Sequence, residues 1–336
     1  MKKVILLLAV ILFFGCEKNS VGPNDAQNNE ERILFLRYPP KQCQICSMLP
    51  DGSNIKIIAE FNATEENFGI GGFSFAKWAP DKSSIVVEGG PGSTLEYKPL
   101  WLLTPEGEYI KQLTPMGHTP FWSNDGKYIF FTRRTGYFSL VYNIYMIDVN
   151  TGKETLVLDN QDGINEPKSG FVYQIMDVYH TEKYSLLLRE HLIYENQETG
   201  KQSATDGEFV FFDIEKKQKE YITQNDIDEG WGKLTSNDNS IIYSIFDKKY
   251  VAELNQMLIN DLSITNLISR QENIQINYLC LSPDGEKIGY SAGDKIDGQS
   301  YNPKRDIYFM DIQSKIKTQL TKAANDTSVY YIMDWR

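Results

Sequence analysis

The chain has 336 residues, 41% hydrophobic and 12% aromatic, with a formal net charge of -11 at pH 7. That length can bury a sizeable core as one domain, and the acid excess argues against nucleic acid and anionic membrane surfaces as partners. Four cysteines and three histidines leave little material for a metal centre, and no cofactor is expected.

Lys2 and Lys3 precede an unbroken apolar run from Val4 to Phe14, too short to span a bilayer but suited to the core of a signal peptide. Phe13-Phe14-Gly15-Cys16 resembles the lipobox of bacterial lipoproteins. That resemblance implies a signal peptide over 1–15 and a lipidated Cys16. Residues 16–32 then form the lipidated end and a polar tether too poor in apolar side chains to build a core. Losing Lys2 and Lys3 with the signal peptide takes the charge from -11 to -13.

From residue 33 onward one phrase recurs: an apolar anchor, a polar turn and a short β run. It is clearest in Trp122-Ser123-Asn124-Asp125-Gly126-Lys127-Tyr128-Ile129-Phe130-Phe131 and in Leu281-Ser282-Pro283-Asp284-Gly285. The anchors are Trp78, Trp122, Val178, Leu234, Leu281 and Trp335, spaced 44 to 56 residues apart. A second phrase, strand, turn and strand, follows at Ile45, Leu100, Ile144, Phe209, Met257 and Ile307. Together they predict six units of four antiparallel strands, an all-β six-bladed propeller over 33–336. The chain enters at Ile33-Leu34-Phe35-Leu36 as a second strand and leaves at Tyr331–Trp335 as an anchor strand. The C-terminal strand is therefore expected to join the first blade and close the ring, which removes exposed sheet edges.

The two phrases resemble those of the TolB-type propellers, roughly W-S-P-D-G-K-x-I-x-F followed by I-Y-x-M-D-x-x-x-G, as in Asp306-Ile307-Tyr308-Phe309-Met310-Asp311. The resemblance covers about residues 33–336 and leaves no room for the additional domains of TolB or of propeller peptidases. It implies a binding surface and no chemistry.

Cys43 and Cys46, placed between the second and third strands of the first blade, allow a local disulfide, free thiols or half a metal site. Cys280 reads as a buried thiol. No catalytic constellation is present, so no enzyme is expected. His118, just ahead of the Trp122 anchor, is a candidate channel-mouth ligand. The residues preceding the anchors give two opposite-charge pairs, Asp334 with Lys77 and Asp177 with Lys233, expected to line the central channel. Long connections gather on the face opposite the tight turns. They carry the aromatic candidates Tyr97, Tyr137, Tyr194, Trp231 and Tyr301 among carboxylates. These features suit a monomeric lipoprotein of the bacterial cell envelope, in the outer membrane facing the periplasm or at the cell surface, that binds an envelope protein. Carbohydrate or peptide capture is the alternative, and a metal-dependent polysaccharide lyase the third reading.

Overall fold

The computed structural model describes residues 30–336 except 63–71, 95–96, 136–141, 161–168, 181–183, 196–201, 246–251, 272–273, 295–303 and 324–327. The signal peptide, Cys16, Tyr137 and Tyr301 lie outside the described residues. Glu31–Arg336 forms one compact unit whose assigned elements are all strands.

Those strands make six antiparallel blades. Blade 1 runs outward from β25 (Val329–Trp335) through β1 (Ile33–Tyr38) and β2 (Gln42–Met48) to β3 (Lys56–Asn62). Blade 2 is β4 (Phe75–Trp78), β5 (Ile85–Glu88), β6 (Leu100–Leu103) and β7 (Tyr109–Thr114). Blade 3 is β8 (His118–Trp122), β9 (Tyr128–Arg134), β10 (Tyr142–Asp148) and β11 (Glu154–Leu158). Blade 4 is β12 (Ser169–Val178), β13 (Ser185–Glu195), β15 (Glu208–Asp213) and β16 (Gln218–Tyr221), with β14 (Gln202–Ala204) added on β13. Blade 5 is β17 (Glu229–Leu234), β18 (Ser240–Ile245), β19 (Ala252–Leu258) and β20 (Ile264–Gln271). Blade 6 is β21 (Ile274–Leu281), β22 (Lys287–Asp294), β23 (Arg305–Asp311) and β24 (Lys317–Gln319). Each of the six anchors is the last residue of an inner strand.

The ring closes as the chain ends imply. β25 pairs antiparallel with β1, from Ile33 opposite Trp335 to Tyr38 opposite Val329, and Arg32 and Arg336 exchange backbone hydrogen bonds beyond it. Second strands are apolar without alternation, as in Ile33-Leu34-Phe35-Leu36, Ile85-Val86-Val87 and Leu186-Leu187-Leu188, all buried. The reason is geometric: each blade is covered on both faces by its neighbours, so both sets of side chains meet a core. Leu34, Leu36, Cys43 and Ile45 enter one apolar cluster, while Ile33, Phe35, Cys46 and Met48 enter another shared with Ile307, Ile332 and Trp335 of blades 6 and 1. Outer strands are wet; all four residues of β16 are exposed.

The polar part of the repeat wires the tight turn between first and second strands. Ser123 Oγ donates to Asp125 Oδ1 (2.8 Å) and accepts from the Tyr128 amide (3.0 Å), while Gly126 takes φ 69°. Ser282, Asp284 and Lys287 repeat the pattern, with Gly285 at φ 74°. In the degenerate fifth unit Thr235 and Asn237 keep the bonds and Asp238 takes the positive φ.

Two expectations are corrected. Cys43 and Cys46 sit within the third strand of blade 1 rather than before it, because the turn at Pro39-Pro40-Lys41 is tight, with Gln42 N donating to Pro39 O (3.1 Å). Residues i and i+3 of a strand face opposite sides, so the two thiols enter different cores and are free, as is Cys280. Burial pushes all three thiols up to about 12. Tyr194, expected on a long connection, lies in a strand: β13 runs on to Glu195 and pairs with β14.

Candidate functional site

Inner strands converge on the axis, and all but that of blade 2 bulge part-way along. Register shifts fall between His118 and Phe121 in β8, Ile175 and Asp177 in β12, Glu229 and Gly232 in β17, and Asn277 and Leu279 in β21. β25 carries the fifth, opposite Leu34 and Phe35. A bulge twists its strand and re-aims the next side chains. Ten described non-glycine residues have positive φ, and eight lie in connections between strands. The other two, Thr119 (φ 47°) and Tyr278 (φ 51°), are inside inner strands and both line one cleft. Such backbone costs about 1–3 kcal/mol per residue, and it is concentrated where functional side chains are presented.

That cleft holds about 240 Å³ and opens where the inner strands begin, on the face of the long connections. Phe75, Thr119, Trp231 and Tyr278 line it, each three residues before its anchor in four different blades. Trp231 and Tyr278 are stacked, with ring centroids 4.3 Å apart. His118, Tyr142 and Tyr173 complete the wall, with the His118 ring edge-on to Tyr142 at 5.9 Å.

Glu88, at the end of β5, fixes the histidine. Its Oε1 lies 3.1 Å from His118 Nδ1 and its Oε2 accepts from the Thr119 amide at 2.9 Å, with Lys98 Nζ 4.0 Å from Oε1. Burial opposes ionisation of Glu88, but His118, Lys98 and the Thr119 N–H outweigh it and hold the carboxyl below its ordinary range. An ionised carboxylate only accepts, so Nδ1 carries the proton and Nε2 is the nitrogen left over. Nε2 is buried and has no hydrogen-bond partner among the described residues, and the same holds for Ser74 Oγ in the same wall. Orphaned buried groups cost about 1–3 kcal/mol each unless something else satisfies them.

Deeper along the inner strands lie the two charge pairs. Asp334 Oδ2 accepts from the Trp78 amide at 3.0 Å and its Oδ1 is 3.7 Å from Lys77 Nζ, which also donates to Met333 O. Asp177 does the same one blade-pair away, accepting from the Leu234 amide (3.0 Å) and Lys233 Nζ (2.7 Å). The four side chains are largely buried and do not line the cleft. Burial opposes ionisation of Asp334 too, but Lys77, Arg336 and the Trp78 N–H hold its carboxyl below the ordinary range.

At the start of β17, Glu229 is 1% exposed, its Oε1 bonded to Asn225 Nδ2 (3.0 Å) and its Oε2 without a partner among the described residues. Burial, reinforced by the charge of Glu208, pushes this carboxyl up to about 7.

Of the sequence candidates, His118 and Trp231 meet at the cleft. Tyr97 is 44% exposed and outside it, and Tyr194 lies in β13 opposite Ser169 and Ser203. Ser74, Phe75, Glu88, Tyr142, Tyr173 and Tyr278 were not anticipated. For Phe75 and Tyr278 the available signal was their position three residues before an anchor; Ser74, Glu88, Tyr142 and Tyr173 do not share it. Among the described residues no three His, Cys, Asp or Glu side chains assemble into a metal set.

A closed six-bladed propeller with a small aromatic cleft at its axis is thus the class of protein defined here. No protein-family model and no curated protein matches the chain. Solved structures do: TolB from Acinetobacter baumannii aligns with a TM-score of 0.63 at 14% identity, over 91% of this chain and 66% of that one. A protein assigned as TolB in Agrobacterium tumefaciens aligns with a TM-score of 0.57 at 10% identity, over 90% and 98%. The periplasmic gluconolactonase of Pseudomonas aeruginosa aligns at 0.52 and 13%, over 91% and 98%. The chain therefore has a TolB-like propeller fold. It spans just under two thirds of the Acinetobacter TolB.

Proposed function

We propose that this chain is a recognition module of the bacterial cell envelope, held to a membrane by acyl chains on Cys16, that binds a protein partner on the face where the cleft opens. The observation that carries this reading is the cleft itself: aromatic side chains from several blades line it, two of its wall residues have strained backbone, and two buried polar atoms of its wall have no partner among the described residues. Strained backbone and unsatisfied groups reduce stability, and a bound partner accounts for both. The lipobox-like Phe13-Phe14-Gly15-Cys16 supports the anchor, and the acidic charge fits a partner other than nucleic acid.

Catalysis is not part of this reading. Capture of a free peptide or saccharide is the second reading, favoured by the stacked Trp231–Tyr278 wall.

Crosslinking in intact cells followed by purification tests the proposal. A specific envelope protein should be recovered with the wild-type chain and lost with Trp231→Ala at unchanged expression and melting temperature. Recovery unaffected by the substitution contradicts it. Cys16→Ser should move the protein out of the membrane fraction; retention there refutes the lipid anchor.

A further inference from the structure

Each blade ends in an outer hairpin whose tip, between third and fourth strands, lies on the tight-turn face. Eight leucines and isoleucines are exposed among the described residues, and six of them stand at or beside the tips of three consecutive blades. They are Leu258, Leu262 and Ile264 in blade 5, Ile316 in blade 6, and Ile55 and Ile57 in blade 1. Ile316, at 66%, is the most exposed large apolar residue among those described. The three tips adjoin: Lys315 Nζ of blade 6 donates to Asn266 O of β20 (2.8 Å), and a Cβ added to Gly52 of blade 1 would stand 2.9 Å from Leu320 O of blade 6. Exposed apolar residues scattered singly are ordinary, but neighbours in a run mark a surface that something covers. Leu262 strengthens the point. At the equivalent turn the other five blades put Asn54, Gly107, Gly152, Lys217 and Lys315 at positive φ, whereas blade 5 puts an exposed leucine there, at φ 57°. A bulky aliphatic side chain is disfavoured in that conformation, and here no burial offsets the cost.

The path of the chain says what covers it. Arg32, the residue before β1, exchanges backbone hydrogen bonds with Arg336 on the tight-turn face, and its Nη2 donates to Asn54 O on the blade 1 tip at 2.7 Å. The segment leading from Cys16 therefore joins the ring beside the apolar tips. Lysines are interleaved with them: Lys56 lies between Ile55 and Ile57, and Lys315 and Lys317 flank Ile316, all three exposed. Aliphatic side chains alternating with long cationic ones suit a phospholipid interface, where the former enter the edge of the acyl region and the ammonium groups stay at the phosphates. We propose that the tips of blades 5, 6 and 1 rest on the membrane that holds the acyl chains of Cys16, so that the cleft, on the opposite face, is presented away from that membrane. The proposal rests on the reading that Cys16 is acylated. A tethered domain needs only a weak contact to stay in place, because the tether keeps the effective concentration of lipid high. The contact is mainly apolar, so it needs no anionic lipid and agrees with the acid excess of the whole chain.

The test is depth-dependent fluorescence quenching with the full lipidated chain in phosphatidylcholine vesicles. A polarity-sensitive fluorophore is attached to a single introduced thiol, Ile57→Cys or Ile316→Cys on the apolar tips, Lys153→Cys on the blade 3 tip, or Tyr97→Cys outside the turn face. The natural thiols do not compete, since Cys43, Cys46 and Cys280 are buried and pushed up to about 12. Labels at 57 and 316 should lose fluorescence to spin-labelled lipid, and labels at 153 and 97 should keep it. Leu262→Asn combined with Ile316→Lys should abolish quenching of the label at 57. Leu262→Asn alone should leave the melting temperature unchanged or raise it, since asparagine tolerates the left-handed backbone. Vesicle-bound protein with no quenching at 57 and 316, equal quenching at all four positions, a lowered melting temperature for Leu262→Asn, or a dimer in micelles that Ile316→Lys dissociates would each overturn the proposal, the last by assigning the tips to a second copy. Wild-type protein recovered free of vesicles would defeat the Cys16 reading and this inference with it, whereas bound protein with unquenched labels removes this inference alone.

Discussion

Glu88 organises the cleft, since it alone joins the histidine, the strained Thr119 amide and Lys98. Glu88→Gln keeps the shape but removes the charge, and should destabilise the protein by about 1–3 kcal/mol in urea unfolding. Glu229 gives a second check with a defined sign. Its carboxyl is raised from 4.5 to about 7, so the folded chain holds a proton that the unfolded chain has already released. The stability it contributes is complete below 4.5 and is lost as pH rises through about 7. Glu229→Gln should flatten the fall in melting temperature over that window; an unchanged slope would show that the buried carboxyl does not titrate there. His118 was legible from its place before an anchor. Glu88, followed by Gly89-Gly90, looks like a loop charge, and its burial depends on blade 3 packing beside it, which no local pattern encodes.

Asp334 and Asp177 each take an amide and a lysine from the inner strand of the next blade, so they act as clasps between inner strands rather than as surface ion pairs. Removing one partner of a buried pair strands the other, so Asp334→Asn should cost about 3–5 kcal/mol. Lys77→Met combined with it should recover part of that loss in a double-mutant cycle. Because the Asp334 carboxyl is held low, its contribution is present above the unfolded value of 3.8 and disappears as pH falls below it. If both single variants melt like the wild type, the clasps contribute nothing. These pairs were visible as opposite charges one residue before neighbouring anchors. The bulges were not, because an extra residue in an inner strand leaves no mark on composition. The strand reaching Glu195 was hidden because the short apolar run Leu192-Ile193-Tyr194 is flanked by the polar Glu190-His191 and Glu195.

The ring is held by its two ends. β25 supplies the innermost strand of a blade whose other strands come some three hundred residues earlier, and Trp335 fills the core between blades 6 and 1. Deleting residues from Ser328 onward should therefore lower the melting temperature of the entire domain, and a truncated chain that melts like the wild type would contradict closure. This architecture was legible because it is repeated. Six copies of anchor and turn survive degeneration at any one copy, and the turn chemistry persists where the letters change, as at Thr235 and Asn237. The cleft takes four of its residues from one repeat-equivalent position, three before the anchor, but Phe75, Thr119, Trp231 and Tyr278 are unlike one another, so the repeat gave the place and not the chemistry. The most direct check of the recognition face is site-specific photocrosslinking in living cells, with the photoreactive residue at Thr119 or Gln174 beside the cleft, or at Asn124 or Asp284 on the tight-turn face. A discrete envelope-protein adduct from the first two positions alone is the predicted result. Adducts from the turn face alone, or equally from both faces, would contradict it.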